Sequence, residues 1–328
     1  MKTNREPSIE WIRGTAHAED GAILRTFDTR LPGAASELPT IVLANGLGGP
    51  VSAWAPYLKR WQGRFRLVSW DYRGLYGSIV AAKARNFSVE RHAKDLGCVL
   101  DSLGIARAAF LGWSMGVQVG LEFYRQSPKR LTHLALTNGT FGRPLRGVAF
   151  PFSEQALGPL VRQVGKLHAW GSVVLEGVSR SPLSYHALRT LGVIAAGLGR
   201  EHYQTMIRDF KSIDLRIYFQ LLDQLTVHDA HPFLHTIDRP TLVIAGSRDV
   251  LTPPHLARTI AETIPGAELM VLTDATHYAA VEYPQLIAGR MEKFISNETA
   301  KHPRQSTHSK DLACGSLPEP SPRATPAP

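Results

Sequence analysis

Short apolar runs alternate with stretches of helical period in two separate parts of this chain. Residues 41–44, 66–70, 108–111 and 132–137 are short, largely apolar and bounded by turn residues, the pattern of buried strands. Between them Val89, Ala93, Leu96, Leu100 and Leu103 fall on one helical face, with Ser88 placed to cap the start and Gly104 to stop the end. A second helix is expected over 117–125. Asp20-Gly21 reads as a hairpin turn between short mixed segments. Strands alternating with helices imply parallel βαβ units.

The alternation stops between about 140 and 235, where the pattern is mostly helical with Gly, Pro and Ser breaks. It resumes with strands at 241–245 and 269–272. A helix after Pro253-Pro254 carries Leu256, Ile260 and Ile264 on one face, and another from Pro284 carries Ile287, Met291 and Phe294. The expected organisation is an α/β core over 1–139 and 236–296, interrupted by a helical lid over 140–235. Two apolar segments of the lid, 191–196 and 217–222, point to an apolar substrate group, with Ile217 and Leu221 expected to touch it. From residue 297 prolines mix with Ser, Thr and charges, so 297–328 reads as a disordered tail.

A length of 328 residues and a hydrophobic share of 44% suit one large domain with an insertion. The first residues lack an apolar h-region, and no apolar run is long enough to span a bilayer. Cys98 and Cys314 make neither a disulfide framework nor a metal spacing, which points to a reducing, cytoplasmic setting and no bound metal. The net charge of +9 is spread without a long basic run or a nucleic-acid motif. A basic enzyme acting on a small molecule is expected rather than a nucleic-acid binder. The charge and the apolar lid keep peripheral membrane contact as an alternative.

The chemistry is concentrated where predicted strands end. Gly112-Trp113-Ser114-Met115-Gly116 matches G-x-S-x-G between a strand and a helix, where a sharp turn exposes the serine hydroxyl and the helix N-terminus favours developing negative charge. His277 follows the last strand and Asp249 follows the strand at 241–245. The order is serine, acid, histidine, each on the sheet edge where ligands bind in open parallel sheets. Asn138 occupies the rival position for the acid and carries no charge. Asp223, His228 and Asp229 are weaker rivals near the end of the lid. Asn45-Gly46-Leu47-Gly48-Gly49 follows an early strand, and its glycines let backbone N–H groups approach a reacting carbonyl. The N–H of Leu47 or Gly46, with that of Met115, is the expected donor pair.

These motifs together resemble the α/β-hydrolase superfamily over about residues 15 to 296. Asn45 to Gly49 is similar to its His-Gly-x-x-Gly loop, and Asp71-Tyr72-Arg73-Gly74-Leu75-Tyr76-Gly77-Ser78 to Asp-x-Arg-Gly-x-Gly-x-Ser. Gly112 to Gly116 resembles the nucleophile elbow. Gly246-Ser247-Arg248-Asp249, then His277 and Glu282-Tyr283-Pro284, resemble the acid and base segments. Asn45 in place of histidine, the added Tyr76, and Thr276 in place of glycine are departures. The resemblance implies a mostly parallel eight-stranded sheet with a helical lid, and Leu47 and Met115 as the oxyanion residues. The activity expected is cofactor-free hydrolysis of a carboxylic ester through Ser114, His277 and Asp249. Thioesterase, acyltransferase, amidase, carbon–carbon hydrolase and perhydrolase chemistries on the same residues are alternatives; a non-catalytic binding protein is disfavoured because all three residues are present.

Overall fold

The computed structural model describes residues 10–30, 38–81, 85–142, 184–190, 192, 194–195 and 197–301. The hairpin turn at Asp20-Gly21 joins β1 (Ile12–His17) to β2 (Ile23–Asp28), which run antiparallel. β3 (Thr40–Ala44), β4 (Arg66–Trp70), β5 (Ala108–Trp113), β6 (Leu131–Thr137), β7 (Thr241–Gly246) and β8 (Glu268–Leu272) are all parallel to one another. β2 pairs antiparallel with β4, giving one eight-stranded sheet in the order β1-β2-β4-β3-β5-β6-β7-β8. β5 and β7 are buried at every residue because helices cover both faces of the sheet, which is why they read as continuous apolar runs.

One face carries α2 (Val89–Ser102), α3 (Met115–Gln126) and α7 (Pro254–Thr263), and the other carries α1 (Ala55–Trp61) and α9 (Pro284–Lys301). The Ser88 hydroxyl caps α2 by accepting from the Arg91 N–H at 3.3 Å. α1 goes beyond the expectations from sequence. Trp54, Tyr57, Leu58 and Trp61 stand at helical spacing and are buried, but Pro50 and Pro56 break up the segment. α3 lies close to the sheet: a Cβ on Gly116 would stand 2.4 Å from the Ala44 carbonyl oxygen, so no larger residue fits there.

Between β6 and β7 the described elements are α4 (Ser184–Thr190), α5 (Arg200–Phe210), α6 (Leu215–Val227) and a 3-10 turn at His231–Thr236. A bridge between Gly142 and Asp229 ties the start of this insertion to its end. Residues 143–183, and 191, 193 and 196 of the first apolar segment, lie outside the described residues. α9 runs to Lys301, so the first five residues of the expected tail, 297–301, are helical; 302–328 lie outside the described residues.

Because β3, β5, β6, β7 and β8 are parallel, the loops that follow them open on one edge. The glycine loop, Ser114, Asn138, Asp249 and His277 all sit there. A short helical turn, α8 (Ala279–Glu282), follows His277.

Candidate active site

Ser114 occupies the turn between β5 and α3 with φ 55° and ψ −114°, a backbone conformation that L-residues rarely adopt. Its N–H still reaches the Thr137 carbonyl at 3.0 Å, so the strained residue is held at the end of the sheet ladder. The Ser114 Oγ is 2.8 Å from His277 Nε2. His277 Nδ1 is 3.0 Å from Asp249 Oδ2 and 3.2 Å from Oδ1. The three residues named from sequence therefore meet in one hydrogen-bonded line, although 163 positions separate the serine from the histidine.

Asp249 is nearly fully buried, and its carboxylate is heavily engaged. Oδ1 accepts from the backbone N–H of Leu251 at 2.9 Å and of Thr252 at 2.8 Å. Oδ2 accepts from the Thr252 hydroxyl at 2.7 Å and from Asn138 Nδ2 at 2.8 Å. Burial alone would raise this carboxyl. The bonds from His277, Asn138 and Thr252 outweigh it and hold the group below the usual carboxylate range. Asn138 thus sits at the rival acid position and supports the acid instead. Its φ of 46° is a conformation asparagine tolerates better than most residues.

The base loop is pinned on several sides. Trp113 Nε1 donates to the His277 carbonyl at 2.8 Å, and Asn138 Nδ2 to the Thr276 carbonyl at 3.0 Å. The Thr276 N–H and hydroxyl both donate to Glu282, at 2.9 and 2.6 Å. Asp223, His228 and Asp229 are not part of this line. His228 faces Gln118 and Glu122, Asp229 accepts from the His231 N–H, and Asp223 borders a separate groove with Arg85 and Gln220.

Gly46 packs against the serine: a Cβ on it would lie 3.2 Å from Ser114 Cβ. Gly48, with φ +68°, has no room for one, since it would meet the Phe210 ring at 2.5 Å and the Tyr218 ring at 2.9 Å. Asn45 is buried beneath the loop, and a turn from the Gly49 N–H to the Gly46 carbonyl closes it at 2.9 Å. Leu47 and Met115 both border a cavity of about 350 Å³ in front of Ser114. Met115 opens α3, so its N–H has no acceptor within the helix.

The sheet order, the serine turn and the loop positions agree with one fold family, whose model, described as alpha/beta hydrolase fold, matches residues 39–284. The chain belongs to that family. A protein of Caulobacter sp. strain K31 named putative carbamate hydrolase RutD is 29% identical over 269 residues, covering 82% of this chain and 94% of its own length. Among solved structures, the enol-lactonase from Burkholderia xenovorans LB400 superposes with a TM-score of 0.65 at 25% identity, covering 86% of this chain and 100% of its own. A hydrolase from Pseudomonas aeruginosa PA01 does so with a TM-score of 0.64 at 26% identity, covering 86% and 98%.

The departures from the family motifs each have a structural counterpart. Thr276 takes the place of glycine and is tied to Glu282. Tyr76, the added residue, has φ 48°, and its hydroxyl donates to the Gly48 carbonyl at 2.5 Å. The Tyr72 hydroxyl donates to the Asn45 carbonyl at 2.8 Å. Burial, reinforced by Asp71 and Asp209, pushes the Tyr76 phenol up, so it stays a donor. Two tyrosines from the loop after β4 therefore hold the glycine loop from below. Tyr76→Phe removes one such bond, worth about 0.5–1.5 kcal/mol. A loss of roughly three- to tenfold in kcat with little change in KM is expected from steady-state kinetics. A change confined to KM would show that the bond does not orient the loop for the reaction.

Among the described residues, the helices between β6 and β7 contribute apolar walls to the cavity. Met206, Ile207 and Phe210 of α5 and Tyr218, Leu222 and Leu225 of α6 line the cavity. The expectation for Ile217 and Leu221 is corrected here. Leu221 is buried in the core, and Ile217 packs over Gly74. The face of α6 that meets the cavity is one position further round the helix.

Proposed function

We propose that this protein hydrolyses uncharged carboxylic esters, lactones included, with Ser114 as nucleophile, His277 as base and Asp249 as the group that orients the base. The observation that carries this reading is the 2.8 Å contact between Ser114 Oγ and His277 Nε2 inside a cavity whose lining, among the described residues, includes no Lys, Arg, Asp or Glu. His277 takes the serine proton as Oγ attacks the carbonyl carbon. The resulting oxyanion is held by the N–H groups of Leu47 and Met115. The intermediate collapses, His277 gives its proton to the leaving alkoxide, and an acyl-serine remains. Water then attacks that ester with His277 again as base, releasing the acid and restoring the serine.

The same attack serves a carbamate carbonyl, the group in the relatives' name. A free carbamate is a small anion, however, and no Lys or Arg among the described residues lines this cavity. Its apolar walls suit a longer uncharged group instead. Each methylene buried there contributes about 0.8 kcal/mol, close to fourfold in kcat/KM. Across p-nitrophenyl esters, activity is expected to climb from acetate to medium chains and then level off. Leu222→Ser is expected to flatten the climb. Acetate as the best wild-type substrate, or an equal loss for every chain length in Leu222→Ser, would rule out an apolar substrate group. Cysteine usage supports a cytoplasmic location; no helix among the described residues is long and apolar enough to cross a membrane.

A further inference from the structure

One polar side chain in the cavity wall has no part in the attack on the carbonyl. Gln118 follows Ser114 by one turn of α3 and so projects from the same side of the helix. It borders the cavity while being 2% exposed. Its Nε2 donates to the Leu225 carbonyl at 3.2 Å and stands 3.1 Å from His228 Nδ1. The Leu225 carbonyl lies in the last turn of α6, where backbone acceptors lack helical partners.

A carboxylate stands behind the histidine. His228 Nε2 is 3.5 Å from Glu122 Oε2, an ion-pair separation rather than a close hydrogen bond. Burial would raise the Glu122 carboxyl, but His228, Arg125 and Gln126 bring it down to about 2. The Leu225 carbonyl can only accept, which fixes the amide nitrogen on that side of Gln118. The amide nitrogen is held between the Leu225 carbonyl and His228 Nδ1. The group left to face the cavity is the carbonyl oxygen, Oε1. Burying a glutamate, a histidine and a glutamine in one row costs free energy that apolar packing of α3 on α6 would avoid.

We propose that Gln118 Oε1 is a fixed hydrogen-bond acceptor for the substrate, and that the preferred esters carry a hydroxyl or amide N–H a few bonds from the scissile carbonyl. One helical turn, roughly 6 Å along the axis, separates Gln118 from Ser114 and sets that distance. The inference rests on the ester-hydrolase reading for its substrate class, whereas the acceptor itself depends only on the cavity.

The test compares methyl 3-hydroxyoctanoate, each enantiomer separately, with methyl octanoate and methyl 3-methoxyoctanoate. Wild-type protein is expected to favour one hydroxy enantiomer over both controls by about tenfold or more in kcat/KM, because a buried acceptor discriminates against a partner that cannot donate. In Gln118→Met, close in volume and without an acceptor, that ratio is expected to fall to about one. Calorimetry on Ser114→Ala protein with the same esters reads the preference in Kd without turnover. If no ester is cleaved but the hydroxy ester still binds tighter, the ester reading falls and the acceptor stands. Equal binding of all three esters, or a preference that survives in Gln118→Met, overturns the proposal and leaves Gln118 as a cap on α6.

Discussion

Ser114→Ala is expected to lower ester hydrolysis by on the order of 10⁵- to 10⁶-fold in kcat, the scale seen when a serine nucleophile is removed from an intact oxyanion site. Alanine keeps the Cβ and inherits the same strained backbone, with the N–H of residue 114 still bonded to the Thr137 carbonyl. The melting temperature should therefore stay within about 2 °C of wild type, since no buried apolar contact or cap is lost. A fluorophosphonate probe followed by peptide mass mapping makes the claim specific. Wild type should carry the adduct on Ser114 alone, and the alanine variant should carry none. An adduct on another serine, or retained turnover in the variant, would remove Ser114 from the mechanism.

Asp249→Asn is the second large effect, expected to lower kcat by roughly 10³- to 10⁴-fold. The carboxylate accepts from Asn138, from the Leu251 and Thr252 N–H groups and from the Thr252 hydroxyl, besides facing His277 Nδ1. An asparagine must point its own NH₂ at one side of that ring of donors. If the amide nitrogen turns to His277, Nδ1 becomes an acceptor, the proton moves to Nε2, and the imidazole no longer takes the serine proton. If it turns the other way, it meets donors from Asn138 or Thr252. The matched variants Asp223→Asn and Asp229→Asn should stay within about twofold of wild type, because neither touches His277. A mild Asp249→Asn beside a crippling Asp223→Asn or Asp229→Asn would place the acid elsewhere.

The sheet and the meeting of Ser114, His277 and Asp249 at its edge were legible because their signals are local. A short apolar run ending in glycine marks β3 and its loop, and G-x-S-x-G between a strand and a helix marks Ser114. Asp249 and His277 each follow a strand that the apolar pattern already defines. The supporting residues were not legible, since their meaning depends on partners brought near only by the fold. Tyr76 reads as an insertion in a loop until its hydroxyl meets Gly48, 28 positions earlier. Asn138 looks like an uncharged occupant of an acid's place, yet it bonds Asp249 from 111 positions away. Gln118 sits among apolar positions of α3 as an ordinary helical residue, and nothing local ties it to His228, 110 positions on. The shift from Ile217 and Leu221 to Tyr218 and Leu222 has a similar origin. Apolarity marks both faces of α6, and only the packing of Ile217 and Leu221 into the core decides which one looks into the cavity.

The long separation between serine and histidine also bears on how the molecule comes into being. Ser114 and its turn are complete early in synthesis, but His277 is added 163 residues later. At about 5–20 residues per second, a ribosome needs roughly 8 to 30 s to cover that span. On the proposed mechanism, the nascent chain carries throughout that interval a serine with no histidine to take its proton. Turnover through Ser114 is expected only when nearly the whole chain has emerged and β8 has docked beside β7. A chain broken off before residue 277 is therefore expected to give no turnover, and regain of turnover during refolding to report the meeting of Ser114 with His277.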